Sequence, residues 1–321
     1  MMVGRAFATL VVALFAQVSP AQTFPSKPVH MIVPFAAGGP TDVMTRTLAS
    51  GFAVQLGQQV VVENRPGAGG NIAAAYVVTS PADGYTLLVA GQGILAINKA
   101  LYGKIAYDPE KDFAWIGMLG SLPNVLVIHP GIPAQGITQF IELARSQPGG
   151  LSYGSNGIGS LSHLTTEVLA NAAGVKFLHV PYQGAAPQRT DLLSGRIGFS
   201  FIAASTMLPL IREGKLRALA VSTNTRLATL PDVPTLVESG FPMLDAPTWF
   251  AAVVPSATPA PVLAALRTAF AAAISAPAYA PEMDKQSSIV VKMSPEAAEA
   301  MLARERRVWT DAVRNTGAKA E

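Results

Sequence analysis

The chain has 321 residues, half of them hydrophobic and 13% charged, with 28 glycines, 25 prolines and no cysteine. Such a composition buries large cores, and the length suits two domains of about 100–200 residues each. The formal net charge of +3 is spread without basic runs, which argues against nucleic acid, and the missing cysteines exclude disulfides, thiol catalysis, Cys-ligated metal and a lipid-anchored N-terminal cysteine.

The first 21 residues read as a secretory leader. Met1 to Arg5 carries one positive charge, Ala6 to Ala16 is an almost unbroken apolar run, and Ser19 and Ala21 stand at −3 and −1 of a cleavage site that leaves Gln22 first. The apolar run falls short of the ~20 residues that span a bilayer. No later stretch is long and apolar enough to do so, so the mature protein is expected in the periplasm.

After the leader, "PVHMIVPF" predicts a buried strand, and "TDVMTRTLASGFAVQLG" a helix with Thr41 or Asp42 as cap and Met44, Leu48, Phe52 and Leu56 on one face. "QVVVENRPG" predicts a second strand, "GGNIAAAYVVTSP" a helix and "YTLLVAGQG" a third strand. This alternation predicts a parallel, helix-covered sheet. A second such unit follows: strand "NVLVIHP", helix "TQFIELARSQPG" capped by Thr138, strand "LSYGSNG", helix "SLSHLTTEVLANAAG", strand "FLHVPY", helix "APQRTDLLSG", strand "IGFSFIA", helix "MLPLIREG" and strand "LRALAVS". "PTWFAAVVP" reads as a strand and precedes three helical stretches, 259–275, 277–286 and 295–315.

Three turns share one design: Phe35–Thr41, Gly91–Ile94 and Ser155–Ser160. Each follows the carboxyl end of a predicted strand, where open α/β sheets bind ligands. Each brings glycine and small or hydroxyl residues to a helix start, whose free N–H groups and partial positive charge attract anions. Nucleotide loops are excluded, because "GAGGNI" and "GIGSLS" lack the last glycine of GxGxxG and there is no Walker A motif.

Catalytic signals are poor. The one GxSxG match, Gly150 to Gly154, places Ser152 inside a strand rather than on a strand-to-helix turn. His30, His129, His163 and His179 show no metal spacing, and no carboxylate cluster suggests a metal or a cofactor. His30 and His179 read as edge or surface residues of strands, and His163 falls in the first turn of the helix behind the third glycine turn, either facing a cleft or packing. No nucleophile with a base and no catalytic pair of carboxylates emerges, so the residues argue for binding without chemistry.

From Phe24 to about Gly317 the sequence resembles the extracytoplasmic solute receptors of tripartite tricarboxylate transporters, the Bug-type receptors. The motifs that carry the likeness include "FPSKPVHMIVPFAAGGPTDV", "QLGQQVVVENRPGAGGNIAA", "LAINKALYGKIAYDPEKDF", "LSYGSNGIGSLSHL", "HVPYQGAAPQRTDLLSGRI" and "LPDVPTLVESGFP". The resemblance implies a type II periplasmic binding fold of two α/β lobes with a ligand cleft between them, lobe 1 from residues 22–123 plus 244–321 and lobe 2 from 124–243. It implies a small organic carboxylate as ligand, a mono-, di- or tricarboxylate or an aromatic acid, delivered by a monomer to membrane transporter subunits. Carried over by motif, the site comprises Phe35, Ala36, Ala37, Gly38, Gly39, Pro40 and Thr41; Gly91 and Gln92 with Gly93; Ser155, Asn156, Gly157, Ile158, Gly159, Ser160 and His163; and Ala203, Ala204 and Ser205. Many members carry acidic or amide residues where this chain has Gly198 and Ile202, and their loss argues against an amino-acid ligand. Trp249 either lines the cleft or packs, and Arg46 is expected to point away from the site. Separate lobe cores imply hinge closure. An exported hydrolase using Ser152 and a ligand-sensing lobe of a membrane signalling protein are the competing readings.

Overall fold

A computed structural model describes residues 24–147, 149–182, 185–285 and 288–319. The leader, residues 1–21, lies outside the described residues. In chain order the first part of the fold contains β1 (Val29–Val33), α1 (Pro40–Leu56), β2 (Val60–Asn64), α2 (Asn71–Val78), β3 (Thr86–Gly91), α3 (Asn98–Tyr102) and β4 (Phe113–Leu122). The second contains β5 (Asn124–Ile128), α4 (Ile137–Ser146), β6 (Leu151–Ser155), α5 (Leu161–Ala173), β7 (Phe177–Pro181), α6 (Ala185–Leu193), β8 (Phe199–Ala203), α7 (Ala204–Arg212) and β9 (Arg217–Val221). The chain then returns through β10 (Thr248–Pro255), α8 (Ala260–Ser275), α9 (Tyr279–Lys285) and α10 (Pro295–Thr316).

Two five-stranded sheets result, ordered β2-β1-β3-β10-β4 and β7-β6-β8-β5-β9. The parallel sheets expected from the alternation are mixed. β1 is parallel to β2 and β3, but β10 runs antiparallel to β3 and β4, and β5 antiparallel to β8 and β9. Each antiparallel strand is the first one laid down after the chain crosses between the sheets, so it enters from the opposite end. β4, a ten-residue strand, escapes the sequence reading because Gly117 and Gly120 interrupt its apolar run.

Both faces of each sheet are buried. Met44, Leu48 and Phe52 of α1 pack with Phe270 and Ala273 of α8 beneath the first sheet, and Ala73, Ala74 and Val77 of α2 cover its other side. Phe140 of α4 and Leu169 of α5 do the same for the second sheet, opposite Leu192 and Met207. Burying such side chains contributes about 1.5–3 kcal/mol each. The helix ends follow local chemistry. Gly39, extended at φ −76° and ψ 167°, caps α1 ahead of Pro40, so Thr41 and Asp42 lie inside the first turn rather than at the cap. Gly136 caps α4 where Thr138 was expected.

A fifth cluster joins the two halves. Ile97, Leu101, Trp309, Ala312 and Val313 from the side of the first sheet pack with Leu164 of α5. The lobe cores are therefore not fully separate: α10 extends from the first lobe across the seam to α5.

Candidate functional site

Both leading glycine loops sit at the carboxyl ends of interior strands next to an edge, β1 and β6. After Val33 the chain turns out, exposing Phe35, Ala36, Ala37 and Gly38, before Gly39 opens α1. The loop is clasped from behind. Asp42, in the first turn, is buried and accepts hydrogen bonds from the Gly38 N–H (2.9 Å), Asn64 Nδ2 (2.9 Å) and Arg46 Nε (3.0 Å). Asn64 Nδ2 also donates to the Phe35 carbonyl (3.0 Å), and Arg46 donates to Asn64 Oδ1 (3.2 Å). The register of β1 with β2 sets Asn64 beside Val33, and so delivers its amide to the loop. Burial, the largest single influence, pushes the Asp42 carboxyl up, but the three hydrogen bonds together with the Arg46 charge outweigh it and hold it below its ordinary value. Arg46, half exposed, belongs to this clasp.

The second loop is clasped by neutral groups. Ser155, the last residue of β6, is fully buried; its Oγ lies 3.0 Å from the Gly157 carbonyl, 3.2 Å from the Gly157 N–H and 2.6 Å from His179 Nε2. Ser160 caps α5: its hydroxyl donates to the Gly157 carbonyl (2.7 Å) and accepts from the His163 N–H (3.3 Å). The Gly159 N–H donates to His163 Nδ1 (3.0 Å), so the ring proton of the neutral imidazole sits on Nε2. His163 stacks on His179 with centroids 4.0 Å apart, and His179 stacks on Tyr153 at 4.9 Å. Burial, assisted by the neighbouring His179 charge, pushes His163 down to about 4, and burial lowers His179 as well. Gly159, at φ +74°, admits no side chain, because a Cβ there would lie 2.4 Å from Leu101 Cδ2 of α3. That contact sets the second loop against the first lobe.

The remaining sequence-derived positions divide. Gly91 and Gln92 are accounted for by packing against the return strand. A Cβ on Gly91 would lie 2.8 Å from the Trp249 carbonyl, and the Gln92 amide donates to the Pro247 carbonyl while accepting the Trp249 N–H (3.1 Å). Gln92 is buried, and its amide ties β3 to the crossing segment. Ala203 ends β8 and precedes α7; the Ala204 N–H is taken by the Pro123 carbonyl (2.9 Å), which leaves Ser205, half-buried, as the polar side chain there. Gly198 lies at the far end of β8, bonded to Ser152, and Ile202 is buried in the core with Val125 and Val127. Neither position presents a polar side chain: Gly198 has none, and that of Ile202 is in the core. Trp249 packs. It is buried, and its Nε1 donates to Glu305 Oε1 of α10 (2.9 Å).

Ser152 lies in mid-strand with its hydroxyl accepting the Gly198 N–H (3.2 Å). A serine–histidine pair, Ser155 with His179, escaped the sequence reading. Its signal was the alternation of β7: His179 shares a face with Phe177, which packs inward, and lies beside Tyr153 across the ladder. Asn64 had no comparable signal, since its reach back to Asp42 depends on the strand register. Ser155 has no accessible surface, so the pair cannot meet a substrate and acts as a loop support.

Residues 44–317 match the family described as the tripartite tricarboxylate transporter family receptor. The chain is 36% identical over 300 residues to the protein BugT of Bordetella pertussis, covering 93% of this chain and 92% of BugT. Among solved structures it resembles R. palustris Rpa4515 with adipate (TM-score 0.77, 33% identity, 92% of this chain and 99% of that one). It also resembles MatC (Rpa3494) from Rhodopseudomonas palustris with bound malate (TM-score 0.74, 31% identity, 90% of this chain and 100% of that one). With its two α/β lobes and paired glycine loops, the chain belongs to the tripartite tricarboxylate transporter receptor family, the Bug-type solute receptors.

Proposed function

We propose that this chain is a periplasmic receptor that captures a small organic carboxylate between its lobes and delivers it to a tripartite tricarboxylate-type membrane transporter. One observation carries the reading: two glycine loops at strand ends, each opening a helix and each held rigid from behind, one of them touching the opposite lobe through Gly159 and Leu101. Free N–H groups in the first turns of α1 and α5 add their partial charges toward an anion. Relatives of this fold hold adipate and malate, both carboxylates. The lobes divide at residues 22–123 plus 244–321 and 124–243, and the protein works as a monomer. The loop residues named from the sequence, apart from Gly91, Gln92, Ala204, Ser155 and His163, form the site, with Asn64, Asp42, Ser155, His163 and His179 behind them. No step of chemistry is assigned: the receptor binds and releases.

A thermal-shift screen of the mature chain with mono-, di- and tricarboxylates and aromatic acids tests this. An acid at ~100 times its Kd should add about 2.7 kcal/mol of stability. Calorimetry then gives a single site per chain. Failure of every carboxylate to shift the transition sinks the reading, and so does ester turnover that disappears in Ser152→Ala.

A further inference from the structure

A cavity of about 200 Å³ lies beside the crossing segment, and none of the glycine-loop residues lines it. One wall is apolar: Met118 of β4, Trp249 of β10, Val291 and Met293 from the segment before α10, and Met301 of α10. The loop after β9 adds neutral polar groups from the other lobe, with Asn224 and Thr225 exposed and the Thr223 hydroxyl donated to the Thr225 carbonyl (2.7 Å). Three charged residues complete the lining: Asp245 on the crossing segment, and Arg304 and Glu305 on α10. Glu305 is engaged, because its two carboxylate oxygens accept the indole N–H groups of Trp249 (2.9 Å) and Trp309 (3.4 Å). Asp245 and Arg304 are not engaged in this way. The Arg304 charge reaches the Asp245 carboxyl, yet neither residue forms an ion pair among the described residues. Asp245 is half-buried, and burial pushes its carboxyl up against the opposing Arg304 charge and the Asn224 N–H. A dry packing void has apolar walls, and a single water needs only ~10–15 Å³. This cavity is far larger, and it sets an apolar wall beside one unpaired acid and one unpaired base. An ammonium group offsets the desolvation of the acid. A carboxylate matches the fork of the guanidinium. Methionine walls adapt to apolar groups of different shape.

We propose that this cavity is a second small-molecule site that takes the zwitterion of an apolar amino acid, its ammonium on Asp245, its carboxylate on Arg304 and its side chain among Met118, Met293, Met301 and Trp249. The site goes beyond the carboxylate held by the glycine loops: the two share no residue, and an acid without an ammonium group leaves Asp245 unmatched.

Calorimetry on the mature chain with leucine and methionine tests it, the glycine-loop site being saturated with the best acid of the carboxylate screen. 4-Methylpentanoate, which is leucine without its ammonium, and 3-methylbutylamine, which is leucine without its carboxylate, serve as matched analogues. Leucine or methionine should bind, and both analogues should bind roughly tenfold more weakly or worse. Arg304 is exposed on a helix, where glutamine is a comparable helix former, so Arg304→Gln keeps the fold. That substitution, and Asp245→Asn, should each weaken the amino acid by roughly tenfold or more while leaving the screened acid within about twofold. The proposal is overturned if neither amino acid binds, if either analogue binds as tightly as leucine, or if amino-acid binding survives Arg304→Gln. An equal loss of acid affinity in Arg304→Gln would place that residue in the loop site and overturn it as well. If the screen yields no acid, the amino acids are titrated alone, so the two sites stand or fall separately.

Discussion

The two glycine loops solve one problem with opposite chemistry. The first is held by an ionised network, Asp42 with Arg46 and Asn64, whose arginine is half exposed. The second is held by hydroxyls and two stacked neutral imidazoles, with Ser155 and His163 buried. The difference follows from where each loop sits. β1 is flanked by β2, whose last residue supplies an amide at the sheet end, and solvent can reach Arg46 and reduce the cost of keeping a charge there. β6 ends against α5 and the opposite lobe, where an ion would have to be desolvated and where neutral hydrogen bonds cost less. In both loops the shaping bonds use the loop's own N–H groups, Gly38 on Asp42 in the first and Asn156, Gly157, Gly159 and Ser160 within the second.

The largest effect should come from the point where the second loop meets the other lobe. Gly159→Val forces a β-branched residue into φ +74° and drives its Cβ onto Leu101. We expect a loss of about 2–4 kcal/mol in stability, from overpacking together with backbone strain, and binding weakened beyond detection by calorimetry. Gly39→Ala in the first loop should be far milder. Gly39 sits at φ −76° and a Cβ there would stand 3.5 Å from the Ala36 carbonyl, so the strained glycine of that loop is Gly38, at +79°. Equal damage from the two substitutions would erase the contrast.

Next comes the charged clasp. Asp42→Ala leaves the Gly38 N–H, Asn64 and Arg46 without their acceptor. Bonds to a charged group are worth about 1.5–3 kcal/mol each, so affinity should fall by roughly tenfold to a hundredfold. Asp42→Asn should recover part of it. Calorimetry with the best acid from the screen reads both.

Acid should separate the loops. The folded pKa of His163, about 4, lies below its unfolded value near 6.5. The unfolded chain therefore takes up the proton first. The contribution of His163 is complete above pH 6.5 and is lost as pH falls from there toward 4. Asp42 is also depressed, so its contribution is complete above the ordinary carboxylate value and is lost only below it. The second loop thus yields at higher pH than the first. Histidine proton chemical shifts should show His163 titrating near 4; a midpoint near 6.5 contradicts the neutral, buried clasp.

The smallest effect should be Arg46→Gln. The guanidinium is half exposed, and the Asp42 carboxylate keeps its other two donors. A surface pair of this kind contributes about 0.2–1 kcal/mol, so affinity should drop no more than about fivefold. A loss as large as that of Asp42→Ala would move Arg46 from the clasp to the ligand.

Much of this was readable in one dimension. Alternating strands and helices, the glycine-terminated strands and the return of the chain at "PTWFAAVVP" located nearly every element, because burial patterns with periods of 2 and 3.6 are local properties. The glycine loops were legible for the same reason: a strand end, a glycine pair and a helix start are neighbours in sequence. Three-dimensional neighbours were not. Asn64 reaches Asp42 through the register of β2 on β1, His179 reaches Ser155 across β6 and β7, and Leu101 presses Gly159 from another lobe. Gly91 and Gln92 share the composition of the other glycine turns, and only the arrival of β10 beside β3 shows what they pack against. The trans-lobe cluster around Trp309 and Leu164 was likewise out of reach, since α10 and α5 each bury an ordinary amphipathic face. Periodicity says which face is buried. The partner that buries it is chosen by tertiary packing, where shape and volume must match across segments far apart in the chain.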